Sequence, residues 1–381
     1  MSAAEDRGLT DGPVDLTEKL KQRIARMGPL SVADFMEAAL LDDEFGYYRT
    51  SDPLGAGGDF ITAPEVSQVF GELIGLWCVE VWSAMGAPKP FNLVELGPGR
   101  GTLMADALRA ASLVPSFVEA ARVQLVEVSA GLRKQQKAAL QDCGAPIQWR
   151  KSLEHVPRGP ALIIANEFVD ALPIRQLVRK GKGWYERCVT ANAKGALAFS
   201  VAKRQAADGQ VISSIFGSTA KPGEIVETRP LADELIAGLG RRAKRDPVAA
   251  LIIDYGHTAS APGDTLQAVR RHDHVSPLKA PGSADLTAHV DFTQLAATAS
   301  AEGLAVWGPV TQRMFLLTLG LAERCQALLE GASQQEAELI VSGAGRLVNS
   351  DQMGHLFKVL ALASPDLPAP PALAEAVEAP A

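Results

Sequence analysis

The sequence predicts an α/β protein built on a Rossmann-like sheet of seven strands, and three observations carry that prediction. Residues 93–102, Leu-Val-Glu-Leu-Gly-Pro-Gly-Arg-Gly-Thr, read as a buried strand running into a glycine turn that opens a helix. A second apolar run, Leu125-Val126-Glu127-Val128-Ser129, ends in an acid, where α/β nucleotide folds hold ribose hydroxyls. From Phe91 onward, apolar runs at 91–97, 122–128, 147–151, 161–167, 248–254, 303–307 and 356–362 are continuous instead of alternating. Continuous runs are expected of parallel strands covered on both faces.

The glycine turn narrows the ligand. Glycine lets bare backbone approach a bound molecule, and the free N–H groups of a helix start suit a carboxylate or phosphate. A dinucleotide fingerprint requires its third glycine at position 102, which is Thr. The glycines instead stand at 97, 99 and 101, with Glu95 two places before the first. This Glu-x-Gly-x-Gly-x-Gly pattern resembles motif I of class I S-adenosylmethionine methyltransferases. The residues expected on the cofactor side are Glu95, Gly97, Pro98, Gly99, Gly101, Glu127, Val128 and Asn166, with Asp59 and Phe60 from an upstream loop. The competing explanation is an ordinary left-handed turn and helix cap, which use the same residues.

Composition restricts the partners. With 44 acids against 37 bases, the net charge of −7 argues against a nucleic-acid phosphate backbone and favours a cationic partner. Cys78, Cys143, Cys188 and Cys325 lie far apart without metal-type spacing, as in a reducing compartment, so no disulfide or metal site is expected. The first residues are acidic and resemble neither a signal peptide nor an arginine-rich transit peptide, and no apolar run reaches membrane-spanning length. The expectation is a cytoplasmic protein without membrane insertion.

Along the chain, residues 1–15 are expected to form a flexible N-terminus. Leu16, Leu20, Ile24 and Met27 recur at helical spacing and stop at Gly28-Pro29, and Ser31-x-x-Asp34 forms a capping box ahead of a second helix through Leu41. Residues 16–85 are therefore assigned as an N-terminal helical cap and loop. Thr62-x-x-Glu65, with Pro64 in the first turn, predicts one long helix over 64–84 in which Thr62 and Glu65 serve as caps. Asp59 and Phe60 have no such local duty and are candidates to touch cofactor or substrate. The cofactor-binding domain is placed at 86–363, interrupted on the substrate side at 171–246 and 256–290. A hairpin signal surrounds Gly181-Lys182-Gly183, and the second interruption is a long loop of a kind that usually carries function. From Ser364, repeated Pro and Ala predict a disordered tail, 364–381.

Chemistry is expected where strands end. The fourth run continues into Asn166-Glu167-Phe168-Val169-Asp170, which places polar groups at the carboxyl edge of the sheet. Glu167 and Asp170 are candidates to face a substrate cation together. A guanidinium has a pKa too high for an ordinary side chain to remove its proton first. A carboxylate can still grip two N–H groups, orient the third nitrogen towards the methyl–sulfur axis and accept the proton as the new bond forms. The alternative is that either acid caps a following helix. The fifth run ends Asp254-Tyr255-Gly256-His257; Asp254 and His257 are candidates for acid–base assistance or for pinning the next loop. Arg271-His272-Asp273-His274 reads as a hydrogen-bonded loop, because no cysteine or acid cluster completes a metal site. Polar residues in 285–292 are explicable as caps, and Trp149 and Trp307 as core.

Several of these segments together resemble one family. They are Gly58-Asp-Phe-Ile-Thr-Ala-Pro-Glu-Val-Ser-Gln-Val-Phe-Gly-Glu-Leu73, Leu93-Val-Glu-Leu-Gly-Pro-Gly-Arg-Gly-Thr-Leu103, Leu125-Val-Glu-Val-Ser129, Asn166-Glu-Phe-Val-Asp-Ala-Leu-Pro173, Asp254-Tyr-Gly-His257 and Ala280-Pro-Gly-Ser-Ala-Asp-Leu-Thr-Ala-His-Val-Asp-Phe292. The chain resembles the MidA-like family, which includes the mitochondrial complex I assembly arginine methyltransferase, over residues 16 to 362. The resemblance implies a class I methyltransferase fold, S-adenosylmethionine as cofactor and, for mitochondrial members, symmetric dimethylation of an arginine on a complex I subunit. Gly97, Gly99, Gly101 and Glu127 match the family's cofactor motif. Asp59, Glu167, Asp170, Asp254 and His257 fall within family motifs. Two departures, the absence of a transit-type leader and Asn166 where mitochondrial members commonly carry His, point to a bacterial-type relative and leave the acceptor open. The expected function is protein methylation, on arginine, with Glu167 as the main acceptor-orienting carboxylate. Rival readings are a small-molecule N- or O-methyltransferase and an assembly chaperone that binds the cofactor without turnover.

Overall fold

The computed structural model describes residues 15–50, 62–216 and 220–373. Its centre is a sheet whose main path comprises β1 (Phe91–Leu96), β2 (Ala121–Val126), β3 (Ile147–Arg150), β4 (Ala161–Asn166), β5 (Val248–His257), β6 (Ala305–Thr311) and β7 (Phe357–Ala363). Their spatial order is β6-β7-β5-β4-β1-β2-β3, with the short strand Val290–Asp291 paired in parallel beside the end of β5. Strands β3, β2, β1, β4 and β5 are parallel neighbours, and β7 lies antiparallel to both β5 and β6. β1 and β4 are buried at every residue and β2 and β5 at nearly every one, in agreement with their apolar runs, whereas the edge strand β3 stays partly exposed.

One face is covered by helices Gln68–Ala84 and Thr102–Ala111 together with C-terminal helices that include Leu321–Leu329, in a core that contains Trp77, Phe91 and Phe315. Glu72 is buried there and accepts from Arg109 (2.8 Å) and Arg324 (2.7 Å), which clasps the first two helices to the third. The other face is covered by Pro230–Ala243 and Phe292–Ala301 through Ile236, Leu239, Phe292 and Leu295. Pro230–Ala243 thus packs on the sheet as the crossover into β5, although the sequence places it within the 171–246 interruption. The rest of that segment includes the expected hairpin, Arg175–Lys180 against Gly183–Ala191, which also pairs with Leu30–Ser31 of the N-terminal region.

The N-terminal helices Leu16–Met27 and Val32–Leu41 pack their apolar faces on Ile174, Val189, Ala268 and Leu286, so the cap rests on both interruptions. Ser31 and Asp34 form the expected capping box. The 256–290 segment is not a bare loop: it contains Gln267–Arg270 paired with Asp273–Val275 and with Asp285–Thr287.

Two expectations are corrected. The helix expected over 64–84 is broken at Ser67 into Ala63–Val66 and Gln68–Ala84; Ser67 is extended and its hydroxyl accepts from Val69 N–H, so it starts a new helix. The disorder expected from Ser364 does not hold for 364–373. Ser364 exchanges hydrogen bonds with Val248, Trp77 donates to Pro371 O (3.2 Å), and Leu373 is buried in the main core. A few apolar side chains among the prolines are enough to anchor that segment.

Candidate functional site

Strand register brings the expected residues together. Leu96 of β1 is level with Val126 of β2 and Ala165 of β4, and Asn166 is level with Ile253 of β5. Gly97, Glu127 and Glu167 therefore emerge along one carboxyl edge, while Asp254 stays inside β5 behind it. Gly97 N–H donates to Val126 O (3.1 Å) and Glu167 N–H to Ile253 O (2.9 Å), closing the ladder before the chain turns away. Beyond this edge opens a cavity of about 1020 Å³, walled by the cap, the glycine turn, the ends of β1, β2 and β4, helix Pro230–Ala243 and the strand Asp285–Thr287. Its size is at the upper end of small-ligand sites.

On the cofactor side, Glu95, Gly97, Pro98, Gly99, Glu127, Val128 and Asn166 all line the cavity. Gly101 does not; it is the left-handed N-cap that starts the following helix, with φ +88°. Gly97 and Gly99 also have positive φ, +63° and +52°. Glu127 is buried, its Oε1 accepts from Ser129 N–H (2.7 Å) and its Oε2 from Gln136 Nε2 (3.2 Å), which aims the carboxyl. Burial pushes its pKa up, partly offset by these donors.

Gln136 carries no sequence signal of its own, yet it is fully buried and joins three parts of the site. Its amide donates to Gly99 O (2.7 Å) and Glu127, and its oxygen accepts from Trp149 Nε1 (2.8 Å). Trp149 is thus more than core filler: it is the anchor for the residue that holds the turn.

Glu95 supplies the test of whether a cationic nucleoside fits. It is 3% exposed, its Oε2 has no hydrogen-bond partner among the described residues, and desolvation pushes its pKa up to about 8. A buried carboxyl facing a cavity beside bare glycine backbone suits an ammonium group. The sign follows. In the folded chain Glu95 holds its proton to about pH 8, whereas the unfolded chain releases it near pH ~4.3. Ligand-free stability contributed by this group is full below the lower value and declines as pH rises towards the upper one. Addition of S-adenosylhomocysteine at pH 7 is expected to release a proton from Glu95, read by calorimetry in buffers of different ionisation enthalpy. Glu95→Gln should abolish that release, flatten the pH dependence of the ligand-free melting temperature and weaken binding by roughly tenfold or more. Unchanged proton release in the variant would remove Glu95 from the site.

The cavity is also lined by Tyr48, Glu167, Asp170, Tyr255, Asp285 and Thr287. Glu167 has φ +49°, a strained backbone for a residue with a side chain. Its Oε1 accepts from Ala63 N–H (2.9 Å) and Asn166 Nδ2 (3.1 Å). Desolvation, reinforced by nearby Asp170, pushes its carboxyl up to about 7. Thr62 and Glu65, expected as helix caps, do other things: Thr62 makes no side-chain cap, and Glu65 accepts from Thr102 Oγ1 (2.7 Å), which holds the Ala63 segment over Glu167. Asp59 and Phe60 lie outside the described residues; Thr62, which follows them closely, lines the cavity.

Asp254 and His257, given either acid–base assistance or loop pinning by the sequence, do not line the cavity. Asp254 is completely buried, with Oδ2 accepting from Val169 N–H (2.9 Å) and Asp170 N–H (3.1 Å); it positions the turn that carries Glu167 and Asp170. β5 runs on beyond the expected end at 254 and pairs with Val290–Asp291, so His257 is carried past the rim to within 3.6 Å of Asp291. No helix follows Asp170, so neither it nor Glu167 is a helix cap; the chain turns into Arg175–Lys180. Of the polar residues in 285–292, Asp291 does cap a helix, but Asp285 and Thr287 face the cavity. Among the described residues no helix is long and apolar enough to cross a membrane, and no cluster of His, Cys, Asp and Glu could hold a metal ion.

A sheet ordered 3-2-1-4-5-7-6 with β7 reversed, a glycine turn after β1 and an acid after β2 define a class I methyltransferase-type nucleoside site. A family model described as "Putative S-adenosyl-L-methionine-dependent methyltransferase" matches residues 73–310, and the chain belongs to that family. It is 37% identical over 366 residues to the protein named "Protein arginine methyltransferase NDUFAF7, mitochondrial" of Danio rerio, covering 90% of this chain and 85% of that protein. The human protein of that name is 35% identical over 368 residues, covering 90% of this chain and 82% of its own. A solved Burkholderia thailandensis structure with bound S-adenosyl-homocysteine superposes with a TM-score of 0.79 at 25% identity, covering 96% of this chain and 94% of that one. The enzyme class is S-adenosylmethionine-dependent methyltransferase, and the residues that would hold the cofactor are Gly97 and Gly99 of the turn, Glu95 and Glu127.

Proposed function

We propose that this chain methylates arginine side chains of proteins, with Glu167 as the residue that orients and deprotonates the acceptor. The observation that carries the reading is Glu167 itself: a carboxyl held at the cavity wall by Ala63 N–H and Asn166, on a strained backbone, beside a second buried acid. When bound, the cofactor supplies an activated methyl group on sulfur. The chain's contribution is positional. Glu167 grips N–H groups of the guanidinium and aims the reacting nitrogen. As the N–C bond forms and the S–C bond breaks, its carboxylate accepts the proton that the nitrogen loses. The relatives named as protein arginine methyltransferases support this acceptor, and the MidA-like resemblance extends the proposal to a respiratory complex I-type subunit as the protein methylated.

The test incubates the full chain with tritium-labelled S-adenosylmethionine and extract from cells lacking it, followed by hydrolysis of the labelled protein. Methylarginine carrying the label is the expected result. Label confined to the small-molecule fraction would instead identify a small-molecule methyltransferase, and no label in any fraction would favour the chaperone reading.

A further inference from the structure

The acids at the acceptor end account for attraction of a cation but not for recognition of its shape. Asp170, Tyr255 and Thr287 meet on one part of the cavity wall, delivered by the turn after β4, by β5 and by the strand Asp285–Thr287. They are 5%, 9% and 3% exposed. The Asp170 carboxyl and the Thr287 hydroxyl both lie close enough to the Tyr255 phenol to act on its ionisation. Even so, Asp170 Oδ1, Tyr255 OH and Thr287 Oγ1 close no hydrogen bond of normal geometry among the described residues. Buried polar atoms are rarely left in that condition, and three at one place on a cavity wall mark a site built to receive donors.

The surroundings are fixed from behind. Arg229 donates to the backbone carbonyls of Asp170, Leu172 and Ala288, so a single buried guanidinium ties the Asp170 turn to the end of the Asp285–Thr287 strand. Asp254 holds the same turn through its N–H groups. From the cap side, Tyr48 donates to Asp285 Oδ1 (3.0 Å). The three polar atoms therefore sit on a rigid frame drawn from three separate segments.

We propose that Asp170, Tyr255 and Thr287 form a subsite that receives the N–H edge of a guanidinium turned away from Glu167, and that this subsite makes the cavity select arginine over lysine. The proposal rests on the arginine reading given above and names the residues that enforce it. A guanidinium presents five N–H donors in a planar fork, so it can reach Glu167 with one edge and the trio with another. A lysine ammonium concentrates three donors on one atom; when it reaches Glu167, the trio is left unmatched. Sites built to hydrogen-bond a ligand group reject ligands that lack it, because the site's own polar atoms go unpaired.

The test uses the full chain loaded with S-adenosylhomocysteine and titrated by NMR with Nα-acetyl-arginine amide and Nα-acetyl-lysine amide. The wild type is expected to bind the arginine probe at least tenfold more tightly. Thr287→Val, which keeps shape and loses the hydroxyl, should weaken the arginine probe at least fivefold and leave the lysine probe unchanged. Thr287→Ser should restore the preference, and Tyr255→Phe gives an independent second variant. All three should bind S-adenosylhomocysteine like the wild type, which a merely structural defect would not permit. If the wild type prefers arginine and both hydroxyl-deleted variants keep the full preference, the subsite is wrong while the arginine reading stands. If the wild type fails to bind the arginine probe, or binds both probes equally, both ideas fall.

Discussion

Gly97→Val is expected to weaken uptake of S-adenosylhomocysteine by about thirtyfold or more while leaving the sheet folded. Two costs coincide at this position. The backbone has φ +63°, a left-handed conformation that costs an L-residue about 1–2 kcal/mol, more for a β-branched one. A Cβ there would stand 2.8 Å from Phe168 Cδ2, closer than real contacts allow, and overpacking of this kind costs about 1–3 kcal/mol. The sum, about 2–5 kcal/mol, is less than the typical stability of a domain, so the chain should fold. Relief of the clash must come from Phe168 or from the glycine turn, and either movement spoils the cavity. Even the lower figure corresponds to about a thirtyfold loss of affinity. Calorimetry measures the affinity and circular dichroism the fold. Gly86→Val is the control: Gly86 has φ +85° with open space around it, so that variant should carry the backbone strain alone and bind normally. Equal affinity in Gly97→Val and wild type would show that the turn does not touch the ligand.

The central sheet was legible because its inner strands obey a local rule. Runs such as 161–165 and 248–253 are apolar at each position, since parallel strands are covered on both sides, and the polar residues 166, 167 and 254 follow them only at the carboxyl side. The glycines at 97 and 99 were legible for the same reason, since their positive φ is a local demand. What stayed hidden depends on partners distant in sequence. Gln136 looks like any polar residue of a surface helix until Gly99, Glu127 and Trp149 converge on it. Thr62 and Glu65 match a capping box by spacing, but Thr102 competes successfully for the Glu65 carboxylate once the two helices pack. Asp285 and Thr287 sit near a genuine helix cap at Asp291, and only pairing with Gln267–Arg270 turns them towards the cavity. His257 lies beyond the cavity rim because β5 is extended by its pairing with Val290–Asp291, a contact no local pattern announces.

Glu167→Gln should lower turnover by about 10²- to 10⁴-fold, the range typical of removing a positioned proton acceptor, with S-adenosylhomocysteine affinity unchanged. The amide keeps an oxygen for Ala63 N–H and Asn166, so the wall retains its shape and the loss can be assigned to charge. The pH profile provides a second signature. The carboxyl of Glu167 titrates at about 7, so wild-type kcat/KM for the labelled protein acceptor should rise through pH 7 and level off above it, as the proton-accepting form appears. The variant should show no such limb. Stability moves the opposite way. Because burial raises the folded-state pKa, the folded chain favours the protonated form, and the stability tied to this group is present below pH ~4.3 and lost as pH climbs to about 7. At pH 8 Glu167→Gln should therefore melt no lower than wild type, and Glu167→Gly, which also relieves the φ +49° backbone, should not melt lower either. A residue kept in a strained conformation and a desolvated ionised form, at a cost to the fold, is the arrangement expected where position and charge serve reactivity. Retained turnover within fivefold, or a pH limb that survives in Glu167→Gln, would transfer the acceptor role to another acid of the cavity, and Asp170 would be the next to test.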